Sequence, residues 1–362
     1  VAKADWIASL RSQGRIAKVG GKEAMPTKAK RWVLASRPTG KPKLDNFRLE
    51  EITLADPGEH EILIRTEFHS VDPGMRGRLS GDSYTAALPV GDTIDSAMVG
   101  IVEASKNEKF KVGDRVTGGF GWVSHALSNG RGVQVLDPKI YHGKLRPTAA
   151  IGVLGIPGLT SYFGLLDLGK PKEGDTVLIS SAAGPVGATA GQIAKMKGCK
   201  VVGIAGSKEK CDYVKGLGFD GAINYREAKD LRAVMAAACP GGVDIYFDNV
   251  GGAMLDAAIL NMKDHGRIVV SGQVSEYNRA DNELVGIRNV TRFITHKLRM
   301  EGLVVFDYFK EFRAAQTEMA GWIHEGKLIY TEDVSEGIEG SAKAFIGLFE
   351  GENHGRRLVK VS

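Results

Sequence analysis

Residues 176–197, TVLISSAAGPVGATAGQIAKMK, constrain the fold of this chain more than any other stretch. A short continuous apolar run, TVLISS, stops at a turn holding two glycines, and the residues that follow, GATAGQIAKMK, recur at helical spacing. KVVGIA comes next as a second strand and KEKCDYVKGLG as a second helix. That alternation reads as a βαβ unit, whose strands run parallel because the helix carries the chain back across one face of the sheet. Further strands are expected at residues 221–224, 244–247, 267–271 and 298–305, with helices near 231–238 and 253–261. The count is six parallel strands in the order 3-2-1-4-5-6, an α/β doubly wound sheet. Such a sheet gathers ligands at the carboxyl ends of its strands, at the switch point between its halves.

The turn itself is a shortened dinucleotide fingerprint. Gly184 and Gly187 keep the spacing of the last two positions in G-x-G-x-x-G, while Ala182 takes the first. Pro185 suits the first turn of a helix whose amides can face a pyrophosphate, and Gly191 and Ala194 offer small surfaces to the sheet. Ala183, Gly184, Pro185, Val186 and Gly187 are therefore candidate cofactor-binding residues. An ordinary βα glycine turn is the plainer alternative, but the next strand arrives at the expected distance and ends in GSKEK. An NAD-preferring strand presents a carboxylate there to the ribose hydroxyls. This one presents Gly206, the Ser207 hydroxyl, Lys208 and Lys210, which suit a 2′-phosphate. Glu209 tempers the inference, although a helix projects it differently from Lys208 and Lys210. NADP(H) is the expected cofactor.

The first third of the chain reads differently. From Lys30 to about Ala150, short runs such as RWVLA, HEILIRTEF, AMVGIVEAS and DRVTGGF lie between Pro, Gly and Asp turns, which predicts a strand-rich region with little helix. The pattern changes near Pro157. After Phe309 a helical run reaches about His324, a second helix is expected near 341–349, and a final strand, RRLVKVS, suits a return to the first region. The expected organisation is a basic extension over 1–29, a strand-rich domain over 30–156 and 315–362, and a nucleotide-binding domain over 157–314.

Charge and cysteine usage narrow the function classes. The net charge is +5, but residues 1–31 carry eight basic side chains against Asp5 and Glu23, which leaves the rest of the chain at about −1. No nucleic-acid footprint is expected from so local a surplus. No uninterrupted 18-residue apolar span occurs, so no integral membrane association is expected. Three cysteines, Cys199, Cys211 and Cys239, are too few for a disulfide framework or a structural zinc lobe and fit a reducing compartment. A cytoplasmic location is expected, or a mitochondrial one if the basic, moderately amphipathic residues 1–24 act as a presequence. The 47 glycines, about 13% of the chain against a usual ~7%, follow no three-residue period, so turns and close backbone approaches explain them.

Taken together, VDPGMRGR, GIPGLTSYFGL, SSAAGPVGATAGQIAKMKGCKVVGIAGS, DNVGG, NMKDHGRIVVSG and GENHGRRLVKV carry a resemblance over residues 30–361. The chain resembles the medium-chain dehydrogenase/reductase superfamily and, within it, the zinc-independent alkenal or enone reductases. That group includes prostaglandin reductases, plant double-bond reductases and bacterial curcumin reductases. The resemblance implies a GroES-like strand-rich catalytic domain beside a Rossmann-type nucleotide-binding domain, a homodimer, and NADPH-dependent reduction of the C=C bond of α,β-unsaturated ketones or aldehydes. It implies cofactor contacts from Thr160, Gly206, Ser207, Lys210 and Tyr225, from Asn249 and Val250 toward the nicotinamide ribose, and from Asn353 near the C-terminus.

Tyr277, just after the IVVSG strand, matches the phenolic tyrosine of the group. Hydride transfer to the β-carbon would build negative charge on the substrate carbonyl, and the Tyr277 phenol would hydrogen-bond to it. An aromatic loop residue covering a crevice is the plainer reading of the position. The chain departs from the group in DPGMR, where relatives carry a tyrosine in place of Gly74. Gly74, Arg76, Tyr84 and Tyr277 are the substrate-pocket candidates, with Gly74 opening space and Tyr84 able to compensate for the lost aromatic wall. Small hydrophobic enones, alkenals or quinones are the expected substrates. No metal site is expected, since His69 beside Asp72 suits a local hydrogen-bond network. An NADPH quinone oxidoreductase and a non-catalytic NADPH-binding protein remain as alternatives.

Overall fold

A computed structural model describes residues 26–81, 83, 86–284 and 286–362. Most of the basic extension, and Tyr84 with it, lie outside the described residues. The described chain forms two compact units. One gathers the residues up to Ile151 with Asp333–Glu352 and Arg357–Ser362, and the other holds Gly152–Glu332 and Asn353–Arg356.

The second unit is built on six strands in the spatial order Gly221–Asn224, Lys200–Ala205, Thr176–Ile179, Val243–Asp248, Met262–Val270, Arg299–Gly302. All five pairings are parallel, and the order is the expected 3-2-1-4-5-6. Continuous apolar runs specify the central strands of this sheet because both of their faces are covered. Val177, Ile179, Ile245 and Phe247 pack with Ile193, Ala194, Val214 and Phe219 in one layer. Their neighbours Leu178 and Tyr246 pack with Met235, Leu255 and Ile259 in the other. Each fully buried side chain of this size contributes roughly 1.5–3 kcal/mol. Register then sets the site: Phe247 pairs with Ile179, so the next residues, Asp248 and Ser180, meet at the carboxyl ends of the two central strands.

Two elements differ from expectation. The sixth strand is Arg299–Gly302 rather than residues 298–305, because Leu303 and Val305 turn to pack with Leu159 and Phe163. The helix Ile156–Phe163 also runs on into a π-helical turn over Gly164–Gly169, which no local signal in GLLDLG announced.

The first unit is strand-rich. The Ile62–Ser70 strand pairs antiparallel with Met98–Ser105 and His125–Ser128, and the returning Arg356–Lys360 strand sets Leu358 opposite Ser70. A two-stranded ribbon joins Thr27–Leu34 to Phe47–Leu54. Trp122, Phe47, Phe345 and Leu34 form an apolar core. Among the described residues before Ile151, α-helix is confined to Met75–Ser80.

Candidate functional site

The glycine loop is pressed onto the sheet. Gly184 caps the Pro185–Met196 helix, Pro185 begins it, and no acidic side chain occupies its first turn. A β-carbon on Gly187 would stand 2.5 Å from the Ser181 carbonyl oxygen and 2.7 Å from the Ala182 Cα. A β-carbon on Gly203, in the neighbouring strand, would stand 2.7 Å from the Ala182 β-carbon. The left-handed turn that the fingerprint's first glycine would supply is made one residue earlier, by Ser181 at φ +50°, which lets buried Ala182 take that place. Ala182 donates its amide to the Ile204 carbonyl at 3.0 Å, while Gly184, Pro185 and Val186 remain half-buried at the rim. A helix N-terminus opened by Gly184 and Pro185, with no acidic side chain in its first turn, fits a pyrophosphate.

Two further segments meet this loop. Ser161, the neighbour of half-buried Thr160, donates its hydroxyl to the Val186 carbonyl at 2.8 Å. Near the C-terminus, Gly355 donates its amide to the Ala183 carbonyl at 3.2 Å, and Asn353 donates its side-chain amide to the Gly355 carbonyl at 3.0 Å. Thr160, Ala183 and Asn353 thus belong to one neighbourhood although they are far apart in sequence.

At the end of the second strand, Ser207 caps the Lys208–Gly216 helix and accepts the Lys210 amide at 3.3 Å, while its hydroxyl donates to the Glu209 carboxylate. A β-carbon on Gly206 would lie 3.0 Å from the Tyr225 ring and 3.4 Å from Arg226 Nε. The Arg226 guanidinium lies 6.0 Å from the Tyr225 ring centroid. Gly206, Ser207 and Tyr225 therefore cluster, with Lys210 in the first helical turn. The sequence reading missed Arg226, although its basic charge directly after Tyr225 was a usable signal. Lys208 is directed elsewhere, pairing with Asp212 at 2.6 Å on the exposed face. Glu209 is a competing anion here, its carboxyl held below the usual range by its own backbone amide and the Ser207 hydroxyl.

The switch point holds a buried polar network. Asp248 is fully buried, and its Oδ1 accepts from Tyr246 Oη at 2.9 Å and from Ser180 Oγ, the Val250 amide and the Gly251 amide at 3.0 Å each. Burial pushes the carboxyl up and these donors oppose the shift. Ser180 in turn holds Asn249 twice, accepting its backbone amide on Oγ and its side-chain amide on the carbonyl, both at 2.8 Å. Gly251 and Gly252 follow at φ +73° and +55°, so the DNVGG turn needs its glycines. Ser180 and Asp248 were not singled out from sequence, yet an acid closing the apolar run VDIYFD was the available clue.

Tyr277 lies beside this network. Its half-buried phenol oxygen accepts the Gln273 amide at 3.3 Å, and a β-carbon on Gly272 would lie 3.2 Å from it. Burial raises the phenol pKa, the Gln273 amide opposes the shift, and the Asp248 charge reinforces it. At neutral pH Tyr277 is therefore a protonated hydrogen-bond donor.

Gly74 and Arg76 belong to the first unit. Gly74 precedes the short Met75–Ser80 helix. Arg76 is buried, and its guanidinium donates to the Gly40 carbonyl at 2.6 Å and to Ser80 Oγ. His69 is buried against Trp122, with Nε2 2.9 Å from Ser341 Oγ, and desolvation lowers its pKa to about 4. Asp72 accepts from Ser70 Oγ at 2.7 Å. Among the described residues no group of three or more His, Cys, Asp or Glu side chains is placed to hold a metal.

Comparison with known proteins matches residues 30–136 to the N-terminal domain of oxidoreductases and residues 185–321 to the family described as zinc-binding dehydrogenase. The chain is 41% identical to the NADPH-dependent curcumin reductase of Escherichia coli, covering 92% of this chain and 97% of that protein. It is 40% identical to the NADP(+)-dependent 2-alkenal reductase of Nicotiana tabacum, covering 92% and 97%. The crystal structure of CurA from Vibrio vulnificus in complex with NADPH superimposes with a TM-score of 0.86 at 38% identity, covering 92% of this chain and 99% of that one. A doubly wound sheet with a glycine-loop helix, a strand-rich companion unit and this degree of identity lead to one assignment: the chain belongs to the medium-chain dehydrogenase/reductase superfamily, in the group of the NADP-dependent curcumin and 2-alkenal reductases.

Proposed function

We propose that this chain is an NADPH-dependent reductase of the C=C bond in α,β-unsaturated ketones and aldehydes. The observation that carries the reading is the protonated Tyr277 phenol, held at the carboxyl end of the sheet beside the DNVGG turn, in a chain whose curcumin- and alkenal-reducing relatives use NADPH. Bound NADPH supplies the hydride. Ala183–Gly187 and the first turn of the following helix hold its pyrophosphate, with Thr160 and Asn353 closing around the loop. Gly206, Ser207, Lys210 and Tyr225 receive the 2′-phosphate end, and Asn249 with Val250 the nicotinamide ribose. Hydride arrival at the β-carbon moves the π electrons toward the carbonyl oxygen, where Tyr277 donates a hydrogen bond to the growing negative charge. The α-carbon then takes a proton from water.

Gly74, Arg76 and Tyr84 are proposed to shape the substrate side, with Gly74 admitting bulk that a larger residue would exclude. A homodimer is proposed through the edge strand Arg299–Gly302, whose four residues are all exposed and whose Met300 is 40% exposed. Three free, buried cysteines agree with a reducing compartment such as the cytoplasm.

The reading is tested by incubating the protein with NADPH, or NADH as control, and a linear enone, an alkenal, a simple ketone and a benzoquinone. A saturated ketone or aldehyde formed in step with NADPH loss is the expected product. Efficient quinone reduction without enone saturation would move the assignment to a quinone oxidoreductase, and cofactor binding without turnover would make the chain a non-catalytic NADPH-binding protein.

A further inference from the structure

We propose that Ser180 and Asp248 act as a buried positioning pair that fixes the Asn249–Gly251 turn and, through it, the loop carrying Tyr277. The proposal rests on the catalytic reading of Tyr277 given above. A carboxylate taken out of water is costly unless donors replace its hydration, and Asp248 is surrounded by donors that come from three places. Ser180 belongs to the end of the first strand, Tyr246 to its own strand, and Val250 and Gly251 to the turn that follows. Asp248 therefore locks the turn to two central strands at once.

The next links are backbone contacts. The Asp248 carbonyl accepts the Ser271 and Gly272 amides at 2.8 and 3.1 Å. The Asn249 carbonyl accepts the Val274 amide at 3.2 Å, and the Val250 carbonyl accepts both the Ser275 amide at 3.1 Å and Ser275 Oγ at 2.7 Å. Residues 271–275 are thus laid along residues 248–250, and Gln273 within them holds the Tyr277 phenol. Ser180 is the pivot, since its one hydroxyl donates to Asp248 and accepts the Asn249 amide.

The test compares Ser180→Ala, Tyr277→Phe and the double variant in the full-length protein, measuring enone kcat, NADPH Kd by fluorescence, and thermal unfolding. Ser180→Ala is expected to lower kcat at saturating NADPH about tenfold, with any rise in NADPH Kd through the Asn249–Val250 turn smaller than the loss in kcat, because small displacements of a catalytic group are costly to rate. In the Tyr277→Phe background the same change should have almost no further effect on kcat, the mark of a residue acting through the phenol. An unchanged kcat in Ser180→Ala, an equal loss in both backgrounds, or a loss seen only in Kd overturns the proposal while leaving the role of Tyr277 intact. Full activity of Tyr277→Phe alone removes the phenol's role and the proposal with it. If Ser180→Ala does not fold, Tyr246→Phe, which deletes one donor to Asp248, is held to the same pattern with a smaller loss.

Discussion

Gly191 faces the ring of Phe219 so closely that a β-carbon at position 191 would overlap it. The two residues bring the Pro185–Met196 helix down onto the sheet; both are buried, and Phe219 shares an apolar layer with Ala190, Ile193 and Ala194 of that helix. Gly191→Ala should destabilise the protein by about 1–3 kcal/mol through overpacking. Urea unfolding of the variant should show a lower midpoint, and NADPH affinity should fall if the helix end is displaced with it. Wild-type stability in this variant would mean that Phe219 has room to move.

Arg226 and Lys210 give a cofactor-selectivity prediction. Loss of a charge-assisted phosphate contact typically costs about 1.5–3 kcal/mol, so Arg226→Ala or Lys210→Ala should raise the NADPH KM by roughly tenfold or more. The NADH KM should hardly change, because NADH lacks the 2′-phosphate. Steady-state assays with both cofactors decide the matter, and a parallel rise for both would point to a fold defect instead.

Removing the phenol hydroxyl separates chemistry from binding. Tyr277→Phe should lower enone kcat by about a hundredfold, at the lower end for loss of a donor to a developing oxyanion, with NADPH Kd unchanged. Single-turnover hydride transfer, followed as loss of NADPH absorbance, is the measurement. Undiminished transfer would assign Tyr277 to packing alone.

His69 sets an acid limit. Its folded-state pKa, about 4, lies below the ordinary value of 6.5, so the unfolded chain binds the proton more readily. Its contribution to stability is intact above pH 6.5 and is lost as the pH falls toward 4, on the order of 3 kcal/mol in total. Urea unfolding at pH 7 and pH 5 should show this slope in the wild type, and His69→Gln should flatten it. Equal slopes in the two proteins would place the acid sensitivity in other groups.

The sheet order was legible because its central strands are continuous apolar runs separated by helices, which pointed to a doubly wound topology. Gly184, Gly187 and Ser207 were legible for a local reason: turn, cap and spacing all lie within a few residues. The Ser180–Asp248 pair was not, because its two members meet only through the register of strands 68 residues apart. Arg226 stayed hidden behind Tyr225, since sequence shows a charge but not that Gly206 leaves room beside it. The sixth strand was overextended for a similar reason, as Leu303 and Val305 are strand-like residues that tertiary packing claims for Leu159 and Phe163.

The bond from Gly355 to Ala183 gives the nucleotide-binding unit an order of completion. Its six strands lie between residues 176 and 302, but residues 353–356, which reach the glycine loop through Gly355, follow an excursion through the other unit. A nascent chain that has not reached Gly355 therefore holds every strand of the parallel sheet and lacks the Gly355–Ala183 bond. The glycine loop therefore gains this contact only after residues 333–352 of the other unit have been made.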